Sequence, residues 1–407
     1  MDVVVVGSGG REQAMAEVLG RTATVRVTPG NVGVAGSVAA PATELDADLF
    51  VIGPEQPLVD GLADELRAQG KLVFGPGRDG AVLEGSKAWM KQILHEAEVD
   101  TARHAAFTAA ELDPALAFLE TLPGLYVIKT DGLAAGKGVV VTESITEARD
   151  TVREYLSGAA FGSAGTTCVI EEGLTGPEIS VFAACDGTTA MAFGSAQDHK
   201  RIGEGDTGLN TGGMGAYSPV PAGGPAMIDH VMTTGVEPTL AALTARGIDY
   251  RGFLYAGLML TPDGPKMLEY NIRFGDPEAQ VVLPRLTSDL AEHLRQAASG
   301  SLTDQPTFSD DAMVCVVMAA EGYPQAPRTG DRIVGVEAAR AIEGVSVYGV
   351  GITEADDGSW ITAGGRVLNV MGRAATRGEA IERAYAGVDA ISWPGAYVRR
   401  DIAAKAE

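Results

Sequence analysis

The sequence predicts a mixed molecule, an α/β unit followed by α+β units, and three observations carry that expectation. A chain of 407 residues is long enough for two or three domains, each with its own core. Its first hundred residues alternate β-branched runs with segments of helical spacing, the pattern of parallel βαβ units. Near residue 100 the texture changes to short strands with fewer helices between them.

Val3 to Val6 is a continuous β-branched run, as a strand buried on both faces would be, and Gly7-Ser8-Gly9-Gly10 closes it before helical spacing starts at Arg11 and runs to Leu19. Thr24 to Thr28, Asp48 to Ile52 and Leu72 to Phe74 follow as strands, with a helix over Val59 to Gln69 between the last two. Further strands are expected at 125–129, 138–142 and 167–171, around one amphipathic helix at 145–157. Residues 189–224 are rich in glycine with little periodicity and read as a long functional loop. Next come a helical stretch at 226–246, strands at 252–260 and 266–271, a helix beginning near Ser288, and a linker over Thr303 to Asp311. The last hundred residues predict strands over Ala312 to Ala319, Arg332 to Val336, Val345 to Val350 and Arg366 to Gly372, and a helix at 376–391. The sequence has no internal repeat and no low-complexity tract.

With 54 acidic against 31 basic side chains, the formal charge of −23 argues against a sequence-independent grip on nucleic acid or on an anionic membrane. Any anionic ligand must be held by a local cluster of Lys and Arg. Cys168, Cys185 and Cys315 lie far apart without CxxC spacing, so neither a disulfide framework nor a cysteine-rich zinc site is expected, in keeping with a reducing compartment. No basic region followed by a long apolar stretch opens the chain, and no run approaches the roughly 18 apolar residues of a membrane span. The expectation is an unprocessed, soluble, cytoplasmic protein.

Four motifs carry chemistry. Gly7 to Glu12 is a glycine turn opening a helix, which aims backbone N–H groups and the positive end of the helix dipole at an anion. A dinucleotide fingerprint would need glycine where Glu12 stands and an acidic residue where the second strand ends in Thr28-Pro29-Gly30-Asn31, so an NAD site is not expected. A ligand-free βα turn is the bland alternative. The segment Lys129 to Val141 is not a P-loop, since three residues rather than four separate its first two glycines and Gly138 follows Lys137. It is a hairpin-like glycine loop whose backbone can close over phosphates while Lys129 and Lys137 reach their oxygens. A turn with solvated lysines fits less well, because Lys129 sits inside an apolar strand.

In Met267 to Glu278, the alternate residues Glu269, Asn271 and Arg273 share one strand face if the strand runs that far, with Leu268, Tyr270 and Ile272 on the other. A carboxylate, an amide oxygen and a guanidinium on one face suit a hard divalent cation and the phosphate oxygens it bridges. The alternative is an exposed face with a fortuitous ion pair. Finally, His199-Lys200-Arg201 is a positive cluster in an acidic chain, followed by the glycine-rich Gly208 to Pro219, although a solvated loop would look the same. His95, His104, His230 and His293 lack ligand spacing and the cysteines lie in apolar strands, so both sets read as structural.

Together these strings resemble the ATP-grasp superfamily and, within it, the phosphoribosylamine–glycine ligases. The resemblance runs nearly end to end: GSGGREQA at 7–14, PGNVG at 29–33, GPEQPLVDG at 53–61, EGSK at 84–87, KTDGLAAGKGVVV at 129–141, VIEEGLTGPEIS at 169–180, Ser195 to Arg201, NTGGMGAYSP at 210–219, GFLYAGLM at 252–259 and RFGDPEAQ at 273–280. It implies an ATP-grasp fold: an N-terminal parallel α/β domain over 1–99, an ATP-grasp domain over 100–302 with a small lid subdomain at about 120–187, and a small C-terminal α+β domain over 310–407. It also implies ligation of 5-phosphoribosylamine to glycine through a glycyl phosphate, with ATP converted to ADP and phosphate, the second step of de novo purine synthesis. ATP and Mg²⁺ or Mn²⁺ are the cofactors so implied. The partners are small molecules, with no nucleic acid and no membrane, and a monomer in transient contact with the upstream amidotransferase.

Carried over residue by residue, the resemblance gives phosphate binding to Lys129, Lys137 and Gly138, an adenine hinge acting through backbone groups to Glu171, Glu172 and Leu174, and the ribose to Glu178. Glu269 and Asn271 become metal ligands, and Arg273, Lys137 and Asp198 catalytic residues, Arg273 stabilising the transferring phosphoryl group. Asp198, Thr211, Gly212, Gly213, Met214, Gly215 and Asp276 fall where glycine and phosphoribosylamine are held, and Gly9, Gly10, Arg11, Asn31 and Glu55 face the phosphoribosyl group. The glycine loops would be lids that keep water from the acyl phosphate. Ser8 and Gln13 stand where members commonly carry Asn and His, Thr130 where Ala is usual, and Leu209 where Pro is; none of these removes a charged ligand. Two alternatives stay open: an ATP-grasp ligase for another carboxylate such as formate or bicarbonate, and a catalytically idle nucleotide-binding regulator, which would be expected to lack Lys137, Glu269 or Asn271.

Overall fold

A computed structural model of the chain describes residues 1–133, 138–158 and 167–404. Gly136 and Lys137, the latter a predicted phosphate and catalytic lysine, lie outside the described residues. Strands β1 (Asp2–Gly7), β2 (Thr24–Pro29), β3 (Leu49–Ile52) and β4 (Val73–Phe74) form the predicted parallel sheet, in the order β2-β1-β3-β4. Val3, Val4 and Val5 are fully buried, which is why the run is continuous and not alternating. Helix α1 (Gly10–Leu19) follows β1. The single helix expected over Val59 to Gln69 is instead two, α2 (Glu55–Asp60) and α3 (Leu62–Ala68). Gly61 between them is left-handed at φ +92°, and a Cβ there would stand 2.6 Å from Nη2 of Arg78. Helices α4 (Arg78–Gly85) and α5 (Lys87–Glu96), which the periodicity did not reveal, lead on from β4.

A second, antiparallel sheet has the order β5-β8-β6-β7, from β5 (His104–Thr108), β6 (Tyr126–Thr130), β7 (Val139–Thr142) and β8 (Thr167–Glu172). Helices α6 (Leu112–Leu119) and α7 (Ile145–Leu156) share a separate small core with it, including Leu119, Ile128, Val152 and Ile170.

From Glu178 onward most strands enter one eight-stranded sheet. In chain order they are β9 (Glu178–Asp186), β10 (Ala190–Asp198), the side hairpin β11 (Arg201–Gly203) and β12 (Thr207–Asn210), β13 (Gly215–Ser218), β14 (Arg251–Thr261), β15 (Gly264–Asn271), β16 (Ala312–Ala319), β17 (Val345–Gly349), the small pair β18 (Ile352–Glu354) and β19 (Trp360–Thr362), and β20 (Arg366–Ala374). The sheet order is β15-β14-β9-β10-β13-β16-β20-β17, so the linker over Thr303 to Asp311 does not divide it.

Two further expectations differ from the structure. Residues 189–224 are not a loop but hold four strands, β10 to β13. All four residues of β13 are buried, which leaves no alternation to read, and its partner β16 lies nearly a hundred residues later. Arg332 to Val336 is not a strand: Arg332 and Val334 make single bridges to Ile361 and Ser392, and Gly335, left-handed at φ +89°, turns the chain into a helix over Val336–Arg340. The three cysteines are free and buried, as packing residues should be. Among the described residues no helix is long and apolar enough to cross a membrane.

Candidate active site

One cleft of about 1150 Å³ is lined by β6 and β8 of the small sheet, by β10, β14 and β15 of the large one, by α4 and α5, and by residues as far apart as Arg11 and Ala403. Its volume exceeds what one drug-sized ligand needs.

Lys129 lies in β6 and is buried. The neighbouring strand β8 answers it with Glu171, whose Oε1 stands 3.0 Å from Lys129 Nζ and 3.3 Å from Nζ of Lys91 on α5. Lys91 also donates to Thr101 Oγ1 at 2.7 Å. Burial opposes the charge on Lys129, but Glu171 and Glu269 outweigh it and hold its pKa above the usual lysine value. Lys91 is pushed down to about 8 by burial, which Glu171 only partly offsets. Burial also opposes the charge of Glu171, and the two lysines overcome it and keep the carboxyl below its usual pKa. The backbone of Glu171, expected to meet adenine, sits inside the ladder opposite His104 and Val127, so the group this residue contributes is its carboxylate. Glu172 ends the strand with its N–H on Arg103 O (2.9 Å) and its carboxylate accepting from Arg103 N (3.0 Å), and Leu174 follows on the cleft wall.

Strand β15 carries Glu269 and Asn271 as predicted, but it bulges. Gly257 opposes Glu269 and Leu258 opposes Met267, which leaves Leu268 unmatched. Met267 is therefore the buried residue, and Leu268 lines the cleft beside Glu269, contrary to the expected alternation. The strand ends at Asn271, short of Arg273, yet Arg273 reaches back: Nη2 donates to Asn271 Oδ1 (3.2 Å) and Glu84 Oε1 (3.0 Å), and Nε to Glu55 Oε2 (3.0 Å). Burial disfavours its charge, but Glu84 and Glu55 more than compensate and raise its pKa. Glu269 also feels Lys87, Lys91 and Lys129. A carboxylate and an amide oxygen set among lysine and arginine side chains fit Mg²⁺ or Mn²⁺, which complete their shells with water and phosphate oxygens. Among the described residues no group of three His, Cys, Asp or Glu could hold a metal alone.

Across the cleft, Lys200 pairs with Glu178 and with Asp198 (3.1 Å). Lys200 chiefly holds Glu178 below its usual pKa. His199 is buried beside Arg399 and accepts the Ala403 N–H at Nε2 (3.1 Å), while Arg201 donates to Gly208 O (2.8 Å). The predicted positive cluster is thus committed inside the chain. Glu278 is 3% exposed and accepts from Tyr255 Oη (2.9 Å), which in turn accepts from Ser180 Oγ (2.7 Å). Burial, reinforced by Asp198, pushes the Glu278 carboxyl up to about 7.

Gly138, Thr211, Gly212 and Asp276 also line the cleft, as do Arg11 and Glu55 from the N-terminal helices. Six predicted residues do not. Met214 is core, and Gly215 lies in β13, where a Cβ would stand 2.5 Å from Cys315 O. Gly213 packs on Pro277. Asn31 Nδ2 donates to Ser8 O (2.7 Å) and Gly349 O (2.9 Å), tying its loop to β17. Gly9 N–H donates to Glu12 Oε2 (2.7 Å), so the start of α1 is capped from within, and Gly10 packs on Asn369 and Gln280. The sequence reading missed Glu84, Lys87, Lys91, Tyr255, Glu278 and Arg366 as lining or supporting residues. The strings EGSK, GFLYAGLM and RFGDPEAQ hold four of them; Lys91 and Arg366 become visible only through contacts made far along the chain.

Models of three domains of phosphoribosylglycinamide synthetase match the chain in succession: the N domain over residues 1–84, the ATP-grasp (A) domain over 85–279 and the C domain over 313–405. A phosphoribosylamine–glycine ligase of Mesorhizobium japonicum is 46% identical over 419 residues, covering 99% of this chain and 97% of that protein. One of Synechocystis is 47% identical over 427 residues, covering 100% of each. The crystal structure of the phosphoribosylamine–glycine ligase of Thermotoga maritima has a TM-score of 0.87 and 32% identity, covering 99% of this chain and 100% of that one. Matched in all three domains and over its full length by relatives of one kind, the chain belongs to the phosphoribosylglycinamide synthetase family.

Proposed function

We propose that this chain joins glycine to 5-phosphoribosylamine, converting ATP to ADP and phosphate through a glycyl phosphate, the second step of de novo purine synthesis. One observation carries it: the charged Lys129, the fixed Arg273 and the oxygen pair of Glu269 and Asn271 meet in one cleft of a chain that matches this family throughout.

Lys129 takes phosphate oxygens of ATP, and a second lysine for them is Lys137. Val127, Leu174, Met259 and Leu268 offer the apolar wall for adenine, and Glu178 the ribose contact. Glu269 and Asn271 would hold Mg²⁺ or Mn²⁺, which when bound supplies neutralisation of phosphate charge. Arg273, oriented by Glu55 and Glu84, faces the charge that builds on the transferring phosphoryl group without having to reorganise. A glycine carboxylate oxygen attacks the γ-phosphorus and ADP departs. The nitrogen of phosphoribosylamine then attacks the glycyl carbon, phosphate departs, and the nitrogen loses one proton. Asp198, Asp276 and the turn at Thr211 and Gly212 hold these two acceptor substrates, while Arg11 and Glu55 face the phosphoribosyl group. Neither step calls for a nucleophilic Ser or Cys. The enzyme then works in the cytoplasm as a monomer that meets the upstream amidotransferase transiently.

With ATP and Mg²⁺, the purified protein should sustain ADP release only when glycine and freshly generated phosphoribosylamine are both present, and glycinamide ribonucleotide should be found by mass. Sustained ADP release that ignores glycine but couples to another carboxylate would overturn the substrate assignment.

A further inference from the structure

We infer that Tyr323 and Arg366, which come from the C-terminal third of the chain, are positioning residues for the acceptor substrates, because together they clamp the Gly212 peptide against the Asp276 turn. The inference rests on the ligase reading above.

Gly212 lies between β12 and β13. Its N–H donates to Tyr323 Oη (3.1 Å), and its carbonyl accepts from Arg366 Nη1 (2.5 Å). The same Nη1 donates to Asp276 O (2.8 Å), and Nη2 pairs with Asp276 Oδ2 at 3.4 Å. The other oxygen of Asp276 accepts from Gln280 Nε2 (2.9 Å). One guanidinium on β20 therefore joins two turns that belong to other parts of the chain. The fit is close: a Cβ on Gly212 would stand 3.1 Å from Arg366 Cζ, and one on Gly365 would stand 2.4 Å from the Tyr323 ring. Thr211 Oγ1 closes the turn, accepting from Gly213 N (3.0 Å) and donating to Lys200 O (2.9 Å). The clamp thus also fixes the stretch that follows Asp198.

The Arg366 side chain is 18% exposed and lines the cleft, so it stands in the wall and not behind it. Its planar fork serves two carbonyls and a carboxylate at once, which an ammonium cannot do with the same geometry. Among the described residues, no hydrogen bond of Tyr323 or Arg366 reaches Lys129, Glu171, Glu269 or Asn271. Loss of the clamp should therefore displace the acceptor half of the cleft and leave the nucleotide half in place.

The test uses full-length Arg366→Ala, Arg366→Lys and Tyr323→Phe, each substrate being varied in turn and ADP counted against product. In the arginine variants KM for glycine and for phosphoribosylamine should rise about tenfold or more, as misplacement of a binding turn would produce, with KM for ATP within about twofold. ADP should exceed product, and Tyr323→Phe should show the same pattern more weakly. Acceptor KM values that stay at the wild-type level, or an ATP KM that rises in step with them, would overturn the inference. Should the arginine variants fail to fold by thermal melting, Tyr323→Phe decides, since it removes one oxygen from a partly exposed side chain. Wild-type turnover is the separate control: if it makes no glycinamide ribonucleotide, the ligase reading fails instead.

Discussion

Glu278 is held almost wholly out of water, with Tyr255 donating to one oxygen and Asp198 nearby. Burial and Asp198 raise its pKa to about 7 against a usual value of 4.5, although Lys200 and the Tyr255 bond pull the other way. Between those two values the folded protein binds the proton that the unfolded chain releases. The stabilising contribution is therefore complete below the unfolded value and is lost as pH rises through about 7. Glu278→Gln keeps the shape without the charge. From about pH 5 to about pH 8 it should gain stability relative to wild type by on the order of 1–3 kcal/mol, read from urea midpoints at both ends. A difference that stays flat would contradict this environment for Glu278. At this scale the sequence is legible where period two holds, as at Glu269 and Asn271. It points to Glu171 only for a backbone contact and is silent on its carboxylate, which matters because Lys129 on the neighbouring strand and Lys91, eighty positions earlier, are folded against it.

At the scale of elements, α1 shows how one end of the chain is packed by the other. Gly10 begins the helix, and a Cβ there would stand 2.4 Å from Asn369 Nδ2 on β20 and 2.6 Å from Gln280 Nε2. By intrinsic propensity, Gly10→Ala would favour the helix by up to about 1 kcal/mol. Here overpacking wins, and the variant should lose about 1–3 kcal/mol in thermal or urea unfolding. A rise in stability would contradict the packing described. The βαβ start is readable because its strands are near in sequence, the runs Val3 to Val6 and Leu49 to Ile52 are apolar, and helices follow those two runs within a few residues. The strands β10 to β13 are not readable: they are glycine-rich, β13 is buried at every position, and its partner β16 is remote. The bulge at Leu268 is hidden for a related reason, since only the pairing with β14 reveals it.

Across the whole molecule, the eight-stranded sheet runs from Glu178 to Ala374, and the cleft draws on residues from Arg11 to Ala403. A chain of net charge −23 can still hold polyanions, because the cations of the cleft are gathered there and each of Arg11, Lys129, Lys200 and Arg273 is fixed by its own carboxylate. Such preorganisation suits the proposed reaction, in which phosphoryl charge would move twice, first onto glycine and then away as phosphate. If the glycine carboxylate takes the γ-phosphoryl group before the amine attacks, one of its oxygens must leave with that phosphate. Turnover of glycine labelled with ¹⁸O in both carboxylate oxygens, with ATP and phosphoribosylamine, tests this by mass analysis of phosphate and product. The released phosphate should carry one ¹⁸O and the glycinamide ribonucleotide should keep one; unlabelled phosphate would contradict the proposed reaction.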